Sequence, residues 1–465
     1  MKNLLLVVAN GGPPLDFSLP RLAALARIHV LILVEPNDFN HEQIKRHAAS
    51  IFRDCSFEAK GLKDSIVSRA QAIQADAILT FSEYALVPVS EACQELGLKG
   101  PGRNVQLARD KVLMRDAWYA AGLPSPRHIK VRALGDLREA YRMLRKPFVL
   151  KDATGAGSVG CQVINDGDDL DTIYSRIVDV LDEAAESKKK DYSESGDSYV
   201  LIAEEFIQAT TEGWYDQDGF ADFISVEGLV VEGRYHALAV TSRMKALPPF
   251  IETSDQSPCL IPDSLHRRIS DLAGRAVDAL CLENCATHTE IKLQANGELC
   301  LIETAARVGG MAIARQLDQV WRLDIVTLLG QILLGEACDI PPLRVEGDAR
   351  RAAASLAVIG ADSNGNPWSR PLPFFPDQID WVRISEDEDI QVRVEWAQSG
   401  KAGALVHPYD EFRGVLNYWG MLFVDAPDAR RLNRVCLNIM DNLEKELRML
   451  ADILSQPARR PMVRV

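Results

Sequence analysis

A chain of 465 residues, 47% hydrophobic and 25% charged, has the composition of a globular protein and the length of about three domains. Its formal charge of −14 weighs against nonspecific binding to nucleic acid or to an acidic membrane, so an anionic substrate needs a focused positive pocket. Nine scattered cysteines do not make a disulfide framework, and the apolar run 4–9 is too short to span a bilayer; the chain reads as cytoplasmic, acting on small molecules as a monomer or homodimer.

In chain order, residues 4–9, 28–34 and 77–80 read as strands of a parallel sheet, with helical periodicity over 66–74 and 89–96 between them. The loop Asn10-Gly11-Gly12-Pro13-Pro14 after the first strand lacks a full dinucleotide fingerprint and reads as part of a substrate mouth. Gly100-Pro101-Gly102 marks the end of an open α/β domain over 1–105. A helix over 105–121 follows, then strands 127–132 and 148–151 with a helix over 137–144 between them.

The segment from Lys151 through Gly155, Gly157, Ser158 and Gly160 has the make-up of a flexible hairpin over phosphates. Glycine backbone can approach an anion closely, Ser158 adds a hydroxyl and Lys151 a charge. By itself such a segment is more often an ordinary turn. Residues 182–198 are charged and poor in apolar groups and read as a mobile insertion, and strand signals resume over 200–207, 220–226, 229–231 and 235–241. A helix over 324–334 precedes Pro341-Pro342, which marks a boundary. The remainder, 345–465, reads as a smaller α+β unit with strands 352–359 and 421–424, a helix over 429–453 and a basic tail over 457–465.

The most informative local feature is a pair of glutamates. If 287–294 and 298–304 are strands around a two-residue Asn296-Gly297 turn, Glu290 stands opposite Glu303, with Ile291, Leu293, Cys300 and Ile302 on the apolar face. Opposed carboxylates repel, and a hard divalent cation such as Mg²⁺, completed by substrate phosphates, would compensate them; a solvated polar face relieved by Lys292 is the plainer alternative. Just beyond lie Arg307, Gly309 and Gly310, which supply a guanidinium fork and close backbone approach for an anion.

A lysine-bearing region, a glycine hairpin, an acidic strand end at Glu204-Glu205-Phe206-Ile207 and a paired-glutamate hairpin, in that order, resemble the ATP-grasp superfamily over about 1–345. Within it, GLKGPG, ARDKVLMRDAW and AAGLPSPR resemble the L-amino-acid ligases that make dipeptides. The resemblance implies an ATP-grasp core over 106–344 with a lid at about 146–210. It implies ATP with Mg²⁺, or Mn²⁺ in its place. Lys111 and Lys151 would reach the nucleotide phosphates under the loop Gly155 to Gly160, Glu204 and Ile207 would meet adenine, and Glu212 the ribose. Glu290 and Glu303 would bind the metal. Arg307 would serve the transferred phosphate and the substrate carboxylate, and Glu252, with Asp255 where the family tends to have His, the amino substrate; Glu83 joins this substrate set. Two departures are Asp152 after Lys151, where proline is common, and Ala305 two residues past the second metal acid, where asparagine is frequent.

The implied activity is ATP-dependent carboxylate–amine ligation through an acyl phosphate. Two alternatives stay open: a ligase of a metabolite other than an amino acid, and a catalytically silent nucleotide sensor, for which Ala305 and Asp152 leave room. Substrate choice would be set by Asn10 to Pro14, Glu83-Tyr84, Trp214 and the loop near Glu252.

Overall fold

A computed structural model describes residues 1–55, 61–187 and 199–455. The lysine run within the expected insertion, Lys188 to Lys190, and the tail 457–465 lie outside the described residues.

The N-terminal region forms a parallel sheet of β1 (Asn3–Val8), β2 (Arg27–Ile32), β3 (Ala48–Arg53) and β4 (Ala77–Thr80) in the order β3-β2-β1-β4. β1 is an unbroken apolar run because both its faces are covered: Leu4 and Leu6 pack with Leu22, Leu5 and Val7 with Ile66 and Val89. β3 is the edge strand that sequence reading passed over. Its residues are partly exposed and carry no clear apolar alternation.

A second, antiparallel sheet joins β5 (His128–Val131), β6 (Phe148–Asp152), β7 (Gln162–Ile164) and β8 (Leu201–Glu205) in the order β5-β8-β6-β7. The helix Leu170–Glu186 packs on it through Ile177, Val180, Leu181 and Ala184. Residues 182–186 therefore belong to this helix and not to a mobile insertion, because Ala184 continues its apolar stripe by one turn.

The largest sheet has eight strands. It is built from β9 (Phe223–Val231), β10 (Arg234–Arg243), β11 (Ser254–Ser257), β12 (Cys285–Leu293), β13 (Leu299–Ala305) and β14 (Ala352–Val358), with β16 (Gln391–Val394) and β18 (Gly420–Ala426); β15 (Leu372–Pro373) and β17 (Leu405–Val406) pair separately. Its order, β13-β12-β9-β10-β11-β14-β18-β16, runs without a break across residue 345. The strands expected at 220–226 and 229–231 are one strand, β9. The helix Ala429–Ser455 covers the far end with Leu432, Val435, Ile439 and Leu443. Among the described residues no helix is long and apolar enough to cross a membrane.

The single helix expected over 105–121 is instead two, Val105–Arg109 and Lys111–Ala120. Asp110 adopts extended backbone and its carboxylate accepts from the N–H groups of Val112 and Leu113 at 2.8 and 3.3 Å, an N-cap that ends one helix and starts the next. The break places Lys111 at a helix start, where its own N–H donates to Ala153 O at 2.9 Å, beside the glycine loop.

Candidate active site

A cavity of about 670 Å³ opens among the three large sheets. Its walls include the end of β1 and the loop Asn10 to Pro14, the glycine loop, the ends of β8 and β13, and residues 397–421.

Glu290 and Glu303 do face each other, although the turn differs from the expected one. The hairpin closes through a short 3₁₀ turn at Ala295–Gly297 with Asn296 left-handed, so Leu293 pairs with Leu299 and Ile291 with Leu301. A β-bulge between Glu290 and Ile291 then shifts the register back, leaving Ile302 as the extra residue. Two of the expected facings are corrected as a result. Leu299 and Leu301 enter the core with Ile291 and Leu293, whereas Ile302 lines the cavity and Cys300 pairs across from Lys292.

At one end of the cavity cations and carboxylates interlock. Lys111 Nζ donates to Gly155 O at 2.6 Å and lies 3.3 Å from Glu303 Oε2, and Lys151 Nζ sits 2.7 Å from Glu204 Oε2. Arg115, fully buried, holds Glu204 Oε1 at 2.7 Å. Burial would raise both acids, but the facing cations win: Arg115 and Lys151 hold Glu204 down to about 2, and Lys111 with Lys151 does the same for Glu303. Both oxygens of Glu204 thus face cations while the residue lines the cavity. Glu205, Phe206 and Ile207 line the cavity beside it.

Glu83 is a positioning group. Its carboxylate binds Arg109 at 3.0 Å and Arg307 Nε at 2.5 Å, fixing the Arg307 guanidinium at the wall next to Gly310. On the opposite side Arg243, almost fully buried, gathers Glu252 at 3.2 Å and Asp255 at 3.0 Å, with Ser225 and Thr241 hydroxyls at 3.1 and 3.2 Å. Burial, with repulsion from Glu290 and Asp255, outweighs Arg243 and pushes Glu252 up to about 8; burial raises Asp255 too. Tyr418 donates its hydroxyl to the Glu252 backbone carbonyl.

The glycine loop is clasped from the C-terminal region. Gly160 N–H donates to Phe412 O and Val415 N–H to Gly157 O, each at 2.9 Å, while Arg176 and Arg413 pair with Asp410 and Glu183 at 2.9 and 2.5 Å. Ser158, left-handed at φ 57°, donates its hydroxyl to Phe250 O at 2.9 Å. Asp152, in the place where proline is common, accepts from Thr154 N–H at 3.0 Å and shapes the loop entry.

Lys111, Lys151, Gly155, Gly157, Ser158, Glu204, Ile207, Glu252, Asp255, Glu290, Glu303, Arg307, Gly310 and Glu83 all line this one cavity. Four expected residues do not. Glu212 is exposed on a loop tied to the hairpin end by Thr210 N–H to Leu293 O at 2.8 Å, which leaves the ribose role without support from position. Trp214, on the same loop, is buried with its indole N–H on Gln294 O at 2.8 Å. Gly160 faces the helix Leu170–Glu186, where a Cβ on it would stand 3.2 Å from Ile177 Cγ2. Gly309 lies against Glu227 and His288 instead of a substrate.

Sequence reading missed Arg115, Arg243, Glu227 and the burial of His288. A signal was available in polar residues two apart on otherwise apolar strands, Ser225 with Glu227 and Thr241 with Arg243, which must share one face of a buried sheet.

An ATP-grasp domain profile matches residues 144–315. The alanine–anticapsin ligase of Bacillus subtilis (strain 168) is 32% identical over 333 residues, 70% of this chain and 69% of that protein. The L-arginine-specific L-amino acid ligase of Bacillus subtilis is 23% identical over 255 residues, 54% of this chain and 55% of its own length. Among solved structures, the L-amino acid ligase from Bacillus licheniformis superposes with a TM-score of 0.67 at 19% identity, covering 97% of each chain.

Proposed function

The chain belongs to the ATP-grasp family as an ADP-forming ligase that makes carbon–nitrogen bonds, and from that premise we propose that it joins two amino acids, or closely similar molecules, through an acyl phosphate. The observation that carries this reading is the meeting, in one cavity, of a lysine-and-carboxylate end with the separately held acids Glu252 and Asp255, with Arg307 also on its wall. The first suits a nucleoside triphosphate, Arg307 a carboxylate, and the acids an amine. The relatives named for amino-acid substrates support the same reading.

The donor set fits a hard cation. Glu290 and Glu303 present oxygens across the bulge, and among the described residues no group of three or more His, Cys, Asp or Glu forms a complete metal cage. Mg²⁺ is ordinarily held by such a partial set, with phosphate and water supplying the rest. Once bound, the ion would neutralise charge on the phosphates during transfer.

The chain's own groups account for the remaining demands. Lys111 and Lys151 offset the negative charge of the phosphates; Arg307, held by Glu83, orients the acid whose carboxylate oxygen bonds to the terminal phosphorus as ADP leaves. The clasped glycine loop keeps water from the acyl phosphate. The amine then attacks the acyl carbon, phosphate departs with its oxygen, and Glu252, on the cavity wall and 3.2 Å from Arg243, is the carboxylate placed to accept the proton the amine gives up.

Phosphate release from MgATP across amino acids, singly and in pairs, with mass spectrometry of each positive mixture, tests the proposal. A product equal in mass to two substrates less water is expected. Nucleotide binding without any product across the panel would overturn it in favour of another acid–amine pair or a silent sensor.

A further inference from the structure

Glu227 on β9 is completely buried, does not line the cavity and has no part in the chemistry above. A carboxylate in such a place is costly unless it is paired and hydrogen-bonded. Its Oε1 accepts from Ser225 Oγ at 2.6 Å and lies 2.7 Å from His288 Nδ1. On the other side of the ring, His288 Nε2 lies 3.3 Å from Glu290 Oε1. The ring thus spans the two carboxylates, one nitrogen to each.

The packing leaves this chain of contacts no slack. A Cβ on Gly309 would stand 2.8 Å from Glu227 Oε2 and 3.0 Å from His288 Nδ1, so only glycine fits in the loop that carries Arg307 past the pair. Arg243 also faces the ring, its Nη2 3.4 Å from His288 Nε2 and 4.0 Å from Glu290 Oε1, and it brings with it the acids Glu252 and Asp255, which also act on the ring. Arg243 and the His288 ring address the same oxygen of Glu290, which leaves Oε2 to ligate.

We propose that Glu227 and His288 form a positioning dyad that fixes the Glu290 carboxylate for a divalent cation, and that Gly309 lacks a side chain to admit it. The proposal rests on the reading of Glu290 as a metal-binding acid. Oriented outer partners of this kind matter to metal affinity by about 10–100-fold.

The test is Mn²⁺ binding to the full chain in saturating ADP, followed by electron paramagnetic resonance, with thermal melting as the control for folding. Glu227→Gln and His288→Asn are expected to weaken Mn²⁺ binding by about 10–100-fold. His288→Gln, whose amide nitrogen can occupy the Nε2 position, should retain most of the affinity. Wild-type Mn²⁺ binding in Glu227→Gln and His288→Asn, with binding lost in Glu290→Gln, would overturn the dyad and leave the metal assignment standing. Equal weakening in His288→Gln and His288→Asn would also overturn it, since it would mark the ring as mere filling. Wild-type binding in Glu290→Gln would remove the metal assignment and the dyad together.

Discussion

Glu204 offers a quantitative check on the electrostatics of the cavity. Its carboxylate is nearly fully buried, lies 2.7 Å from Arg115 on one oxygen and 2.7 Å from Lys151 on the other, and is held at about 2 against an ordinary 4.5. At about 1.4 kcal/mol per pH unit, that depression amounts to about 3 kcal/mol of folding stability at pH 7. A group whose folded value is depressed stabilises fully above its unfolded value and loses the contribution as pH falls toward the folded one. Glu204→Gln should therefore cost about 3 kcal/mol at pH 7 and about 2 kcal/mol at pH 3.5, the gap closing as Glu204 in the unfolded chain becomes protonated while the folded carboxylate stays ionised. Removing one partner of a buried pair costs a similar amount, about 3–5 kcal/mol, because the remaining charges stay buried and unpaired. Urea unfolding of both proteins between pH 7 and 3.5 measures the gap. A difference below about 1 kcal/mol at pH 7, or one that widens on acidification, would refute the argument that the cations outweigh burial.

Three further outcomes are expected. Glu303→Gln should lower metal-dependent phosphate release by about 10²-fold or more in protein that is still folded at the assay temperature, and full activity in that variant would sink its role. Gly157→Ala places a Cβ 2.3 Å from Val415 Cγ1 at a φ of +68°, so it should lose both the clasp and about 1–2 kcal/mol; adding Val415→Ala should restore the contact but not the backbone cost, as read by urea unfolding. Asp410→Arg breaks the half-exposed pair with Arg176, a pair of a kind worth about 1 kcal/mol or less; hydrogen exchange at the Gly160 amide should rise no more than about fivefold and return when Arg176→Asp is added. A rise that the swap does not reverse would show that the ion pair does not hold the loop.

The strand-and-glutamate logic was legible because it is local. β1, β2 and β4 are short apolar runs, and the opposition of Glu290 and Glu303 follows from one hairpin. Lys111 and Lys151 were legible through motif resemblance, but the break at Asp110 that aims Lys111 was not, because an aspartate inside a helical pattern signals a cap only when its backbone turns extended. Arg243 escaped for a different reason. Its partners at 225, 241, 252, 255 and 288 are scattered over four strands and the loop before β11, and only the sheet order brings them together. Glu212 was misplaced because loop direction depends on where Thr210 and Trp214 anchor, contacts made with the distant residues Leu293 and Gln294.

The hairpin shows why a correct pairing can come from an incorrect turn, and why the difference matters chemically. A two-residue turn would reach the Glu290–Glu303 pair by strict alternation, and Ile302 would then point into the core. The observed turn is longer by one step of register, and the bulge gives that step back just before the Glu290–Glu303 pair. As a result two neighbouring residues, Ile302 and Glu303, both line the cavity, which no unbulged strand allows. An apolar side chain and a charged one thus stand side by side on the same wall: the first offers a dry surface, the second faces Lys111 at 3.3 Å. The bulge is therefore part of the site, and Leu299 and Leu301, which the longer turn directs inward, pack in the core beside it.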